Sequence, residues 1–300
     1  MPGDSPQGSI HVFITNNFIY TRQKLQAQAL RELAQFISEP RMKSYKILTS
    51  NDSMKANLGA YLWNKQVSAA LYPLMQCLEV TLRNAIHSAA SQYFATPDWF
   101  DRVTKVAGDA MFISDMKKHA DKRDRFYRNG LSAGQRKGKI IWTSHHENMI
   151  AAAKLKLEKC SKRPTADAVV AELTFGFWSG IFERNYNDIH SSSRLWPHLE
   201  SVIFPNLKPA ERKASTVLRQ LKNIKALRNR MAHYEPIWKH ASVNDALTAV
   251  TYLNSSIDHI THLIRGISHE RANLLQDSGI ERIAKDLCQK ERLAFYISAY

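Results

Sequence analysis

Acidic residues are in short supply in this chain of 300 residues: 27 Asp and Glu stand against 42 Lys and Arg, a formal net charge of +15 at pH 7. Such an excess suits a polyanionic partner, nucleic acid or an anionic membrane surface, and charge alone does not separate the two. Long apolar runs are missing as well. No stretch approaches the about 18 apolar residues of a membrane-spanning helix, and no basic helix carries the wide apolar face of a membrane-surface anchor. The opening MPGDSPQGSI lacks the basic-then-apolar order of a secretory leader, so a soluble, cytoplasmic protein with no membrane partner is expected. Cysteine is scarce. Cys77, Cys160 and Cys288 are odd in number and have no CxxC spacing, which argues against a disulfide framework and a zinc site and leaves them as buried small hydrophobes. Alternating β-branched segments are nearly absent too. The exception, residues 10–20 (IHVFITNNFIY), reads as a short strand or extended arm behind a Gly-, Pro- and Ser-rich start that is expected to be disordered.

What remains is helical periodicity, in a chain that is 44% hydrophobic and so able to bury a sizeable core. Leu25, Ala29, Leu33 and Phe36 mark a surface helix ended by Pro40. Ser53 caps a second, and Pro73 predicts a kink or a new start before Met75, Glu79, Leu82 and Ile86. Thr165 caps a helix whose stripe is Val170, Leu173, Phe177 and Ile181, with Gly176 and Gly180 spaced to let another backbone come close. Residues 185–210 read as a loop anchored by Trp196, Leu199, Ile203 and Phe204. Ser242 and Asp245 resemble a capping box ahead of Val250, Leu253, Ile257, Ile260 and Ile264, and a last helix is predicted over 280–296. The prediction is an all-α protein: an arm over 1–20, then one helical domain over 21–300.

The stretch 217–238, VLRQLKNIKALRNRMAHYEPIW, breaks that regularity. Val217, Leu221, Ile224, Arg228 and Met231 share one helical stripe, and an arginine on an apolar stripe needs an anion to meet it. Glu79, the odd member of its own stripe, is a plausible partner: either a structural ion pair, or a group that positions Arg228 or Arg83. His233 follows Arg228 by five residues, so on a regular helix the two point about 140° apart. Asn229, four residues before His233, shares its face and is placed to orient the imidazole. Pro236 sets the helix end just beyond.

Arg228, Asn229 and His233 spell R-N-x-x-x-H, which resembles the Rx4-6H motif of the HEPN superfamily of all-helical, metal-independent ribonucleases. The flanking blocks are LRNRMAHYEPIW, AELTFGFWSGIF at 171–182, RLWPHL with the following FP, and LEVTLRNAIH at 78–87. Together they look like the Abi-like (AbiD/AbiF) branch, found in bacterial abortive-infection and related phage-defence systems. The likeness runs over roughly residues 22–265. It implies a helical HEPN-like fold, an endoribonuclease toxin that works without metal or cofactor, an RNA substrate, an antitoxin RNA or protein, and a homodimer. By the same resemblance Arg228, Asn229 and His233 are catalytic; Glu79, Arg83, Asn84, Arg230 and Tyr234 are expected to support them. Arg83-Asn84 with His87 echoes the motif one residue short of its spacing and reads as structural. The competing class is a non-catalytic RNA-binding or regulatory module whose Arg–His pair only holds the fold.

Two further stretches carry chemistry-bearing residues. His145, His146 and Glu147 are adjacent, which does not set two ligands on one helical face, so no metal site is expected there. Residues 117–139 hold nine Lys or Arg against two Asp, with Phe126 and Tyr127 between them. The segment reads either as an RNA contact, in which cations neutralise phosphates and the rings stack on unpaired bases, or as a solvated helix face with a flexible connector. On the first reading, replacing Lys122, Arg123, Arg125, Arg136 and Lys137 by Ala weakens RNA binding and flattens its salt dependence, because fewer counterions are released. Titration of labelled single-stranded RNA at several salt concentrations checks this, and an unchanged slope assigns the segment to solubility.

Overall fold

The computed structural model describes residues 27–50, 53–106, 145–183, 186 and 194–299. The segments 10–20 and 117–139 lie outside the described residues. Among those described, every regular element is a helix, and none is long and apolar enough to cross a membrane. The elements are α1 (Ala27–Ile37), α2 (Glu39–Lys43), α3 (Lys46–Thr49), α4 (Met54–Phe94), α5 (Trp99–Val106), α6 (His145–Lys159), α7 (Ala166–Glu172), α8 (Phe175–Gly180), α9 (Glu200–Ile203), α10 (Ala214–Ala232), α11 (Ala246–Ile267), α12 (His269–Asp277), α13 (Ile280–Leu287) and α14 (Lys290–Ser298). The chain divides into two compact units. One gathers the described residues up to Leu71, Tyr234–Ser255, and those from Arg282 on; the other gathers Tyr72–His233 and Ser256–Glu281.

α4 runs for 41 residues with Pro73 inside it, so no new helix starts there. A proline in a helix interior costs about 3 kcal/mol. Leu71, Leu74, Met75 and Leu78, all buried around it, are each worth about 1.5–3 kcal/mol against exposure, and together they outweigh that cost. α1 ends at Ile37, as Pro40 predicts, and Pro40 itself sits in the first turn of α2, where its missing N–H costs nothing. α1 buries Leu30 against Met42 and Leu58, while the Leu33 and Phe36 of the predicted stripe face solvent.

In the first unit the C-terminal helices are tied to α4 and α11 by polar bonds. The Trp63 indole N–H donates to the Leu287 carbonyl at 2.8 Å, and the Asn254 amide donates to the Cys288 carbonyl at 2.7 Å. Cys288 is buried, which pushes its thiol pKa up to about 12, whereas Cys160 is exposed and Cys77 half-buried, so the expectation of three buried thiols holds for one. Gly59 lets the backbone of α14 come close: a Cβ there would stand 2.1 Å from the Tyr296 carbonyl oxygen.

The second unit is built around aromatic side chains. Phe182 stacks on Trp196 at 4.4 Å between ring centroids, and the Trp196 indole donates to the Ile181 carbonyl at 2.7 Å. Trp196, Leu199, Ile203 and Phe204 are all buried, anchoring the 194–213 connection as their spacing predicts, with α9 as a short helix inside it. The stripe expected to be one helix from Thr165 is two, because the chain turns extended at Leu173 and Thr174 between α7 and α8. Thr165 is the N-cap, its hydroxyl accepting from the Ala168 N–H at 3.4 Å. Gly180 makes room for a side chain and not for a backbone: a Cβ there would meet His146 Nε2 at 2.3 Å. His146 lies buried against Phe177 and Tyr186, and burial lowers its pKa to about 4. α11 is capped by Asp245, whose carboxylate accepts from the Thr248 N–H at 2.7 Å while Thr248 Oγ1 accepts from the Asp245 N–H at 3.1 Å. Ser242 instead meets His240 Nδ1 at 2.8 Å, outside the cap. The α11 stripe of Val250, Leu253, Ile257, Ile260 and Ile264 is buried throughout.

The tightest of these contacts yields a test. Gly59→Ala forces backbone against backbone and is expected to lower stability by at least about 2 kcal/mol, well beyond the surface range of about 0.5 kcal/mol. Denaturant unfolding of both proteins measures it, and a loss inside that range would show that α14 does not pack there.

Candidate active site

α10 is set in place at its N-terminal end by a group from α9: the Ala214 N–H donates to Glu200 Oε1 at 2.7 Å, a charge-assisted bond where the helix dipole favours an anion. Ala214, Val217, Leu221, Ile224 and Leu227 are buried, and the helix packs on α8. The buried stripe therefore ends on Leu227 and not on Arg228, which is half-buried at its edge. A stripe stepping by three or four residues accepts either position. The apolar neighbour wins, since burying leucine is favourable by about 1.5–3 kcal/mol whereas an unpaired buried guanidinium costs several.

The same shift occurs on α4, where Leu78 is buried and Glu79 stands half-buried beside it. No ion pair joins Glu79 to Arg228, so the partnership inferred from the two stripes does not form. Without a buried charge to strand, Glu79→Ala is expected to change stability by less than about 1 kcal/mol in denaturant unfolding, not by the about 3–5 kcal/mol of a broken buried pair. Arg83 Nε donates to Asn84 Oδ1 at 3.3 Å. His87 is occupied on both nitrogens: Nδ1 accepts from the Trp99 indole at 3.0 Å, and Nε2 faces Asp167 Oδ1 at 3.6 Å.

His233 is the C-cap of α10, exposed, with φ −94° and ψ 9°. Its backbone N–H donates to the Asn229 carbonyl at 2.9 Å. That main-chain bond is how Asn229 and His233 are joined; a side-chain bond from the amide to the imidazole is not formed, and Asn229 is itself exposed. Arg230 is half-buried. The end of the helix thus presents Arg228, Asn229 and His233 to solvent, one as a guanidinium at the edge of the core, one as an amide, one as an imidazole.

The next residue in the chain, Tyr234, has φ 56°, the left-handed region that costs an L-residue about 1–2 kcal/mol. Its ring is 70% exposed, with Lys65 Nζ 5.5 Å from the ring centroid. The segment beyond Tyr234 is held tightly. The buried Asn64 carboxamide oxygen accepts from the Ile237 N–H at 2.9 Å, and Trp238 packs edge-on against Tyr45 at 5.8 Å. Lys65 also lies over Tyr61, at 5.1 Å from its centroid. Lys65, Tyr61 and Asn64 do not stand out by motif or stripe. One signal is present in the sequence: residues 53–78 contain no Asp or Glu at all, so Lys65 has no carboxylate within a helical turn.

The RNA-contact residues expected in 117–139, Lys122, Arg123, Arg125, Arg136 and Lys137, lie outside the described residues. No curated protein and no solved structure matches the chain. The family described as Abi-like protein matches residues 19–239, a range that holds Tyr61, Lys65, Glu79, Arg228 and His233. The chain is a member of the Abi-like protein family.

Proposed function

We propose that this protein is a metal-independent endoribonuclease of a bacterial phage-defence system, of the abortive-infection or toxin–antitoxin type. The observation that carries the reading is the pairing of a solvent-reachable arginine and an exposed histidine at the end of α10, inside the matched family region. Cleavage without a metal requires proton transfer and compensation of the charge growing on the phosphate oxygens. Histidine suits the first, because its ordinary pKa lies near neutrality. Arg228 suits the second, because a guanidinium stays charged and grips two oxygens at once.

In this mechanism the 2′-hydroxyl of the substrate loses its proton as its oxygen attacks the adjacent phosphorus, the P–O5′ bond breaks, and the 5′ oxygen leaves as a hydroxyl. The products are a 2′,3′-cyclic phosphate and a 5′-hydroxyl end. His233 moves the proton, Arg228 holds the phosphate, and Arg230 contacts the RNA backbone. Asn229 acts through the main chain, its carbonyl fixing the His233 backbone. The 140° offset between Arg228 and His233 on an ideal helix favours a site assembled from two copies of the chain, with each motif completing the other. The net charge of +15 supplies the attraction to RNA.

DNA, and RNA methylated at the 2′ oxygens, are expected to bind without being cut, while unmodified RNA is cut equally well in EDTA. Arg228→Ala and His233→Ala are each expected to slow cleavage by at least about 100-fold, the scale of a positioned acid–base group. Gel analysis of the fragments and their ends, with sedimentation of the protein, measures all of this. Cutting of 2′-deoxy substrates or full activity in His233→Ala defeats the mechanism. A monomer that still cuts defeats the shared site, and binding without any cleavage assigns the protein to the non-catalytic RNA-binding class.

A further inference from the structure

Half-buried cations without a carboxylate are expensive to hold, and one such group stands in the first unit. Lys65 has no anionic partner among the described residues; its ammonium lies over the rings of Tyr61 and Tyr234, 5.1 and 5.5 Å from their centroids. Burial lowers the Lys65 pKa, and Arg41 on α2 lowers it further; Tyr45, next to this group, packs its ring edge-on to Tyr61 at 5.8 Å. Lys65 is therefore a partly buried cation over aromatic faces with a second cation acting on it, and an incoming anion offsets that repulsion.

The aromatic wall of this cluster is arranged for use from solvent. Tyr234 keeps 70% of its surface exposed while its backbone holds the left-handed conformation, and the loop after it is fixed by Asn64 and Trp238. A side chain that merely filled space would be expected to turn inward and relax. Instead the ring is held outward beside the ammonium.

We propose that Arg41, Lys65 and Tyr234 form a nucleotide-binding subsite for single-stranded RNA, with a backbone phosphate taken by Lys65 and Arg41 and the adjoining base stacked on Tyr234. The pairing of a phosphate-sized positive spot with one exposed ring matches the chemistry of a nucleotide: every base has a face to stack, and every linkage carries one charge. Such a subsite has little base preference, because neither contact reads a base edge. Tyr61 holds the same ammonium at 5.1 Å from its ring centroid, so the charge is positioned before the RNA arrives. The assignment rests on the reading of the protein as RNA-acting, and Tyr234 follows the proposed proton-transfer residue directly in the chain.

The test uses the full chain and a labelled, fully 2′-O-methylated single-stranded RNA of mixed sequence, which binds without depending on cleavage. Lys65→Met, which keeps the stem and removes the charge, is expected to weaken binding about 5- to 10-fold at low salt and to reduce the slope of log affinity against log salt by about 0.7, one single-strand phosphate contact. Lys65→Arg is expected to restore both. Tyr234→Leu is expected to weaken binding about 10-fold with the slope unchanged, and Tyr234→Phe to bind like the natural protein, because stacking needs only the ring. Arg41→Gln, on an exposed side chain, gives a second charge-removing variant should Lys65→Met fail to fold. Unchanged affinity and slope in the charge-removing variants, or no binding of RNA by the natural protein, overturns the subsite. RNA binding that depends on Lys65 in a protein that never cuts RNA upholds the subsite while the nuclease reading falls.

Discussion

Burial of apolar surface in preference to charge decides the geometry at the end of α10. Two helices each offer a charged residue next to a leucine, Arg228 beside Leu227 and Glu79 beside Leu78, and in both the leucine is the one that goes inside. Rotating either helix by one position would bury the charge and expose the leucine, at a cost of several kcal/mol unless the two charges met. They do not meet. The arginine is thereby left half-buried at the rim of the core.

A second constraint fixes the path of the chain beyond the helix. Pro236 cannot continue a helix, and the Ile237 N–H next to it is buried, so it must find an acceptor. Asn64, itself 1% exposed, provides it. Three residues before that bond, Tyr234 takes a left-handed φ of 56°. Strain of this kind persists only where the surroundings determine the backbone, as the Asn64 bond does here.

Much of this is legible from the chain. The helical class follows from periodicity, the buried ladder of α11 from its steps of three and four, and the anchoring of the 194–213 connection from Trp196, Leu199, Ile203 and Phe204. The departures have common physical causes. A periodic pattern cannot choose between adjacent positions of similar phase, so it sets Arg228 and Glu79 one residue too deep. Local breakers also decide less than their chemistry suggests: Pro73 lies inside α4 because buried neighbours hold the helix through it, while the 165–182 stripe divides at Leu173 without any breaker. The Glu200 bond to the first turn of α10 and the Asn64 bond to Ile237 join residues far apart in sequence, and no spacing rule reaches them. Gly176 and Gly180 look alike in the sequence, yet Gly180 adjoins a buried imidazole.

The shortage of acids acts as a structural fact and not merely as a composition. With a net charge of +15, many cations cannot have a carboxylate of their own. Ion pairs link Lys43 to Glu39, Lys154 to Asp101 and Lys156 to Glu172. Exposed cations without partners cost little, since water solvates them. A half-buried one is different: part of its hydration is gone, and an aromatic face replaces only some of it. Lys65 is in that position, and its own helix offers it no Asp or Glu over 53–78. The faces of Tyr61 and Tyr234 stand where a carboxylate would, and they offset only part of the hydration that Lys65 loses on burial.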